Sequence, residues 1–268
     1  MTIDPVTQNA LALRLRALHR PGHPLILANV YDAATATTIA SLPTATAIAT
    51  ASYAIAQTLG VPDASLTATQ NLSAVKAIAE AARAANPALP LTVDLQDGYA
   101  DPGATVTMAI TLGAVGCNIE DVDGATGALR SVPDAVARIR AVRRAAAEAG
   151  VPDFVVNART DVLFLGGPGA GVEDAVRRGR AFLEAGAACV YVWGGPRGRG
   201  VSAAEVRELV GGLDGLVNVK MGLEPGFLGV RELGNLGVAR VSVGPGLWRV
   251  GMAALRGEAE RILGDRDA

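Results

Sequence analysis

The sequence has few aromatic residues and no cluster of basic ones, and these shortages exclude nucleic-acid binding. Aromatic residues make up 4% of the 268 residues, too few for a surface that stacks bases. Lys and Arg form no block, and the formal net charge is −2, so the basic footprint of a phosphate-backbone binder is missing. We therefore expect no nucleic-acid partner.

Cysteines and long apolar runs are also scarce. Cys117 and Cys189 lie inside apolar runs, with no second cysteine at metal-binding spacing, which predicts buried free thiols. No apolar run reaches the ~18 residues of a membrane span, and the first residues lack the continuous apolar stretch of a signal peptide. These absences predict a cytoplasmic protein without a membrane partner.

Eight short β-like runs alternate with Ala-rich segments along the chain. The runs are 25–29, 46–51, 91–94, 116–119, 154–158, 188–192, 216–219 and 239–243. Their mean spacing of about 31 residues is the length of a βα unit. The pattern predicts a single-domain α/β protein over residues 1–268, a (β/α)8 TIM barrel, with a doubly wound sheet as the alternative.

Helical periodicity and capping residues place the intervening helices. The predicted helices are 67–85, 133–149, 172–185 and 202–210, with an extra N-terminal helix at 7–18 and a final helix at 246–263. Segment 44–57 is ambiguous, because its Ala content suits a helix, whereas β-branched residues on alternate positions at 46, 48 and 50 favour a strand. The Gly-rich stretches 166–171 and 194–200 are interpreted as loops, and 244–246 (Gly-Pro-Gly) as a tight turn.

In a barrel the active site lies at the carboxyl ends of the strands. The polar residues that follow the predicted strands there include Ser52, Asp94, Gln96, Asn118, Glu120, Arg159, Asn218 and Lys220. Several carboxylates at one mouth repel each other unless a cation joins them. Because all the candidate ligands are oxygen donors, we predict Mg²⁺, with Mn²⁺ possible, on Asp94 and Glu120.

Other polar residues are assigned structural roles. His19 and His23 precede the first strand, so we expect them at the opposite end of the barrel in structural surface roles, which excludes Ser-His-Asp and Cys-His catalysis. Four further carboxylates are expected to be helix caps or solvated loop charges: Asp97, Asp101, Asp121 and Asp123.

At these positions the sequence resembles the isocitrate lyase/phosphoenolpyruvate mutase superfamily. Six short segments match the superfamily's motifs in order: 29–32 (Asn-Val-Tyr-Asp), 52–54 (Ser-Tyr-Ala), 60–63 (Gly-Val-Pro-Asp), 94–99 (Asp-Leu-Gln-Asp-Gly-Tyr), 118–121 (Asn-Ile-Glu-Asp) and 157–161 (Asn-Ala-Arg-Thr-Asp). Each motif alone is weak, but six in order are fairly specific.

The resemblance implies a Mg²⁺-dependent lyase or decarboxylase. Its substrate would be a small 2-oxo or 2-hydroxy acid similar to oxaloacetate or isocitrate, cleaved through an enolate held on the metal. When the superfamily's roles are assigned to the matching positions of this sequence, Asp94 would bind the metal directly. Asp63, Gln96 and Glu120 would bind it through water. Ser52, with the N–H groups of Tyr53 and Ala54, would hold the substrate carboxylate, Arg159 would neutralise the substrate's charge, and Asn218 would lie in the substrate site. The resemblance also implies a homodimer or homotetramer, often with the last helix swapped between subunits.

Two departures from the superfamily pattern bear on activity. Gln96 replaces an acidic residue of the metal motif, and loop 121–130 lacks the Lys-Lys-Cys-Gly-His box of the isocitrate-cleaving members. Tyr99 is a candidate for the missing acid. Two alternatives therefore stay open: an enzyme that acts on a P–C bond, like phosphoenolpyruvate mutase or phosphonopyruvate hydrolase, and a 2-oxo acid-binding protein without catalysis.

Overall fold

The strands form one parallel sheet in a computed structural model that describes residues 4–167, 170–195 and 200–264. In these residues the strands are β1 (Leu25–Leu27), β2 (Asn29–Val30), β3 (Ile48–Thr50), β4 (Leu91–Asp94), β5 (Ala114–Glu120), β6 (Val155–Thr160), β7 (Cys189–Val192), β8 (Val217–Lys220) and β9 (Arg240–Ser242). Most are buried on both faces, which explains their continuous apolar runs.

The sheet closes on itself through the first predicted strand, which is interrupted at Ala28. Its first half, β1, pairs with β9, and its second half, β2, pairs with β3. The nine strands are therefore the eight strands of a (β/α)8 barrel, and the predicted fold is confirmed. All eight predicted runs contain a strand.

Helices cover the outside of the barrel. In the described residues they are α1 (Pro5–Ala17), α2 (Ala33–Ala40), α3 (Ser52–Thr58), α4 (Ala68–Ala85), α5 (Pro102–Thr111), α6 (Val132–Glu148), α7 (Val162–Leu165), α8 (Val172–Glu184), α9 (Ala203–Gly212), α10 (Val230–Asn235) and α11 (Gly246–Gly264). The capping box predicted at Ser202 and Glu205 is present. None of these helices is both long and apolar enough to cross a membrane.

Several short helices do not appear in the sequence-based assignment. The helices α2, α3, α5, α7 and α10 each have ten residues or fewer, too few for a distinct helical period. The ambiguous segment 44–57 contains both elements, β3 followed directly by α3. The two Gly-rich stretches lie partly outside the described residues.

Helix α1 covers the amino-terminal end of the barrel. The Gln8 side chain donates hydrogen bonds to the carbonyls of Ile110 and Ala114 at 2.8 and 2.9 Å, and Leu15 is fully buried against Gly116. His19 also lies at this end but is buried, so its predicted surface role is wrong. Its Nδ1 lies 2.9 Å from the Leu15 carbonyl, as part of the cover.

Candidate active site

A cavity of about 470 Å³ lies at the carboxyl ends of the strands. Its charged and amide side chains come from several strands, from loops and from helix α11: Asn29, Asp63, Asp94, Asn118, Arg159, Lys220, Glu224 and Arg249. A site at this end of the barrel was predicted, and five of the eight polar residues expected after the strands line it together: Ser52, Asp94, Asn118, Arg159 and Lys220.

Ser52, Asp63 and Asp94 form the acidic side of the cavity. The Ser52 backbone N–H, at the start of α3, donates to Asp94 Oδ2 at 3.0 Å. Burial and the charge of Asp94 raise the pKa of Asp63, while the Ser52 hydroxyl opposes the shift by hydrogen bonding. Two carboxylates thus lie close enough to repel each other, and a bound cation would relieve that repulsion.

The Gln96 side chain turns toward Asp63. Its Nε2 donates to the carbonyl oxygen and to Oδ1 of Asp63 at 2.9 and 3.0 Å. Gln96 has φ 52° and Tyr99 has φ 58°, left-handed values that few residues other than Gly adopt. This turn after β4 aims the Gln96 amide at Asp63, and Gln96 itself does not line the cavity.

Arg159 is held by two carboxylates. Its Nη1 lies 2.7 Å from Glu120 Oε2 on the neighbouring strand, and its Nε lies 2.6 Å from Asp161 Oδ1. Burial raises the pKa of Glu120, and Arg159 opposes this rise; the ion pair at 2.7 Å favours the charged form of both partners. Arg159 is therefore fixed in place before any ligand arrives.

Two aromatic rings flank the Arg159 guanidinium. Its Cζ lies 4.6 Å from the Trp193 ring centroid and 5.6 Å from that of Tyr191, a cation–π arrangement. Phe164 packs edge-on against Trp193 at 5.7 Å. These rings form an apolar wall beside the guanidinium, and the Arg159 side chain remains 20% exposed.

Lys220 and Arg249 form the basic side of the cavity. Neither makes an ion pair within the described parts of the chain. Burial and the nearby charges of Arg249 and Arg159 lower the pKa of Lys220, and Glu224 at the rim opposes this. Gly244, at φ +53°, leaves room for the Lys220 chain, whose Cε would lie 3.3 Å from an added Cβ.

The sequence contains a partial signal for this basic side. Lys220 ends a strand and could have been proposed from that position. Arg249 lies in the first turn of α11, above the ring of Tyr53 at 5.5 Å, and no local pattern marks it. The cavity also includes Tyr191 and Trp193, which sequence reasoning did not place at the site, and Asn118, which it placed there without a role.

Five predicted site residues do not line the cavity: Ala54, Gln96, Tyr99, Glu120 and Asn218. Glu120 contacts the site through Arg159. The Tyr99 hydroxyl accepts a hydrogen bond from Asn71 at 2.9 Å, and burial raises the Tyr99 pKa, so this hydroxyl is poorly suited to donate a proton to a substrate. Asn218 is fully buried below the cavity.

Two of the four carboxylates interpreted as caps or loop charges have other roles. Asp97 is buried and pairs with Arg130 at 2.8 Å, and Asp121 is buried and pairs with Arg178 at 3.0 Å. These ion pairs hold loop 121–130 as a small hairpin closed by a bridge between Val122 and Leu129. Asp101 caps α5 as predicted, and Asp123 accepts two backbone hydrogen bonds in the exposed loop.

The donor set fits a hard cation with few protein ligands. Among the described residues, no group of three or more acidic, His or Cys side chains is arranged to hold a metal. Asp63 and Asp94 nevertheless line one cavity, and the atoms with which they could bind a metal are carboxylate oxygens. This composition suits Mg²⁺, which binds through one or two carboxylates and keeps several waters.

The structure is a TIM barrel whose cavity, at the carboxyl ends of the strands, contains carboxylates on one side and basic side chains on the other. Residues 15–263 match the phosphoenolpyruvate phosphomutase family. The chain belongs to this family, within the superfamily that joins phosphoenolpyruvate mutases and isocitrate lyases, as the sequence motifs predicted. An uncharacterized protein from Mycobacterium tuberculosis is 32% identical over 247 residues, 91% of this chain and 87% of that protein.

Solved structures agree with this assignment. A proposed phosphonomutase from Burkholderia cenocepacia is 36% identical with TM-score 0.83, covering 95% of this chain and 99% of that one. Oxaloacetate acetylhydrolase, solved with its product oxalate, is 25% identical with TM-score 0.81, covering 97% and 89%. Phosphonopyruvate hydrolase, solved with oxalate and Mg²⁺, shares the fold at 24% identity and TM-score 0.79, covering 95% and 87%.

Proposed function

We propose that the protein is a Mg²⁺-dependent lyase or decarboxylase that cleaves a C–C bond next to a 2-oxo or 2-hydroxy acid. One observation carries the proposal. The same cavity has two carboxylates beside Ser52 on one side, and Lys220 and Arg249 without ion-pair partners among the described residues on the other. Such a cavity suits a substrate with two anionic ends, as in oxaloacetate.

Each side of the cavity binds one end of the substrate. Asp94, with Asp63, would hold Mg²⁺, which when bound stabilises negative charge on the keto oxygen. The Ser52 hydroxyl and the Tyr53 N–H bind the adjacent carboxylate, since both residues line the cavity and Ala54 does not. Ala51 before α3 has no side-chain cap hydrogen bond, so these first-turn donors remain for the substrate.

The second anionic group binds at Lys220 and Arg249. Arg159, already paired with Glu120 and Asp161, orients the substrate and contributes a fixed positive field rather than a mobile clamp. The aromatic wall covers one side of the Arg159 guanidinium, and this partial burial strengthens its interaction with an anion.

Loop 121–130 decides which substrate is favoured. No residue of this hairpin lines the cavity within the described residues, and it contains no Cys, His or Lys that could protonate a leaving carbanion. Loss of a general acid costs about 10²–10⁴-fold. Decarboxylation of oxaloacetate releases CO₂ without protonation, so it is affected less than isocitrate cleavage.

The test is a comparison of kcat/KM for oxaloacetate, isocitrate and 2-methylisocitrate with Mg²⁺, in which oxaloacetate should be preferred. Because free Mg²⁺ also decarboxylates oxaloacetate, Asp94→Asn serves as the matched control. Isocitrate turnover at a rate equal to that of oxaloacetate would contradict the loop argument. Turnover of no acid in the panel would refute the lyase assignment.

The similarity to a proposed phosphonomutase favours a second candidate, an enzyme that acts on a P–C bond. Phosphonopyruvate has the same two anionic ends as oxaloacetate, so the cavity suits both. Phosphorus-31 NMR of phosphonopyruvate incubated with the protein and Mg²⁺ separates the two. Conversion of its phosphorus signal, with no turnover of oxaloacetate, would replace the first proposal with the second.

We further propose that the chain forms a homodimer or homotetramer through α11. Every residue of this 19-residue helix is at least partly exposed. Its exposed apolar side chains are Val250, Met252, Leu255, Ile262 and Leu263. An apolar helix that packs so little against its own barrel is suited to pack against another copy, as in a helix swap.

Light scattering coupled to size-exclusion chromatography tests this assembly. Wild type should elute as two or four chains, and Leu255→Glu with Leu263→Glu should dissociate it. Leu42→Glu places the same charge at an exposed leucine outside α11 and should leave the mass unchanged. A monomeric wild type would disprove the assembly.

Both cysteines are buried free thiols. This state suits a reducing compartment, and we propose a cytoplasmic location on that basis.

A further inference from the structure

Asn118 faces the cavity from the carboxyl-terminal half of β5. It lies in register with Asp94 on β4 and with Asn157 on β6. Its Oδ1 accepts hydrogen bonds from Asn157 Nδ2 at 2.8 Å and from Arg240 Nη2 at 3.3 Å. Arg240 lies on β9, 122 residues away along the chain, so this hydrogen bond links two strands that are not neighbours in the sheet.

The Arg240 contact fixes the orientation of the Asn118 amide. A guanidinium has donors only, so the group that faces it must be the amide oxygen. The Nδ2 group is consequently turned the other way. It donates to no acceptor among the described residues. Because it is also not among their buried unpaired atoms, it is accessible to solvent, on the side of the cavity that Asn118 lines.

Arg240 is an unusual residue for the interior of a barrel. It is 1% exposed and is the largest fully buried side chain, and it makes no ion pair within the described residues. Burial lowers the pKa of Arg240 to about 10, so it is charged at neutral pH. A buried charge without a carboxylate partner costs several kcal/mol in general, a cost that function at the site above it would explain.

We propose that Asn118 Nδ2 donates a hydrogen bond to an oxyanion of the bound acid, and that Arg240 is a positioning residue that orients and polarises this amide from below. This inference rests on the proposed 2-oxo acid site. An acceptor that already receives two hydrogen bonds, one from a charged donor, makes the same amide a stronger donor. Because the amide is held before binding, no reorganisation is needed when charge develops on the substrate.

Oxalate is the probe, because it is a dianion with the carboxylate geometry of an enolised 2-oxo acid. Calorimetry with Mg²⁺ should show Asn118→Ala binding oxalate about 10- to 100-fold more weakly than wild type. Arg240→Met should weaken binding similarly, and the double variant should be no weaker than Asn118→Ala alone, because Arg240 acts through Asn118. The exposed Asn235→Ala should bind as wild type does.

Asn118→Asp separates the donor role from a structural one. This variant gives Arg240 a carboxylate partner, so the melting temperature should stay equal or rise. The cavity, however, loses its amide donor and gains an acceptor, so oxalate binding should be lost. This variant also keeps the test decisive if Arg240→Met fails to fold.

Three results would overturn the inference: unchanged oxalate binding in Asn118→Ala, wild-type binding in Asn118→Asp, or additive losses in the double variant. If wild type binds oxalate and the variants lose it, but no acid of the panel is turned over, the proposed reaction fails while this inference stands. If wild type does not bind oxalate with Mg²⁺, this inference is refuted, and turnover of the acid panel decides the proposed reaction.

Discussion

The two ends of the barrel contain similar polar side chains in opposite surroundings. At the carboxyl ends, Asp94 and Lys220 line an open cavity, and Lys220 has no ion-pair partner within the described residues. At the amino ends, Gln8 and His19 are buried under α1 with short hydrogen-bond contacts to backbone carbonyls. Position relative to the strand, more than residue type, therefore decides whether a polar group serves chemistry or stability.

This comparison has an energetic consequence. Side chains that bind a substrate lack some of their hydrogen-bond or ion-pair partners in the free protein. Replacing them should therefore lower activity but change stability little. Groups that close the other end already make their packing and hydrogen-bond contacts in the free protein, as Gln8 and Leu15 do, so their removal should cost stability and leave activity unchanged. Variants at the two ends can therefore be compared directly.

The largest effect is expected at Asp94, on the cavity side. Asp94→Asn should lower kcat/KM by about 1,000-fold, equivalent to about 4 kcal/mol, because a carboxylate that holds the cation is lost. The melting temperature should change little. Glu80→Gln, which likewise neutralises a carboxylate but on the exposed face of α4, should leave both unchanged, and an active Asp94→Asn enzyme would refute the metal assignment.

At the opposite end, Leu15→Ala should reduce the free energy of unfolding by about 3 kcal/mol through loss of buried apolar contacts. Urea titration measures this change. Leu13→Ala, on the exposed side of α1, should change stability by no more than about 0.5 kcal/mol. If Leu15→Ala lowered kcat in the folded enzyme, the separation between the two ends would not hold.

The sequence predicts much of the fold and about half of the site. Apolar runs such as 91–94 identify the strands because parallel strands are buried on both faces, and strand ends locate Asp94 and Arg159. The orientation of a loop residue such as Gln96, with its left-handed φ, cannot be predicted from the neighbouring sequence. The contact of Arg240 with Asn118 cannot be predicted from the sequence either, because it forms only when the barrel closes.

A smaller effect is expected at Lys220. Lys220→Gln should lower kcat/KM for a dianionic acid about 10- to 100-fold, mainly through KM, because a charged donor to the distal group is lost. Binding of pyruvate, which has one anionic group, should change less. Lys76→Gln on the exposed face of α4 is the matched control. Equal losses for both ligands would place the distal anion elsewhere.

The smallest effect concerns pH and the buried end. Burial, reinforced by Arg240, lowers the pKa of His19 to about 3, whereas the unfolded chain binds that proton near pH 6.5. A depressed folded-state pKa gives stability that is complete above pH 6.5 and is lost as pH falls toward 3. Relative to His19→Asn, wild type should therefore lose about 1.4 kcal/mol of unfolding free energy between pH 7.5 and 5.5.

Urea titrations of wild type, His19→Asn and His23→Asn at these two pH values measure this difference. His23 is exposed, so His23→Asn should retain the wild-type decline. The comparison with His19→Asn cancels the contribution of Asp63, whose raised pKa acts in the opposite direction, since a carboxyl that holds its proton in the folded state favours folding at lower pH. An identical pH dependence in wild type and His19→Asn would show that His19 is protonated in the folded protein. The amino-terminal end of the barrel would then be accessible to protons, and the comparison between a buried end and an open end would not hold.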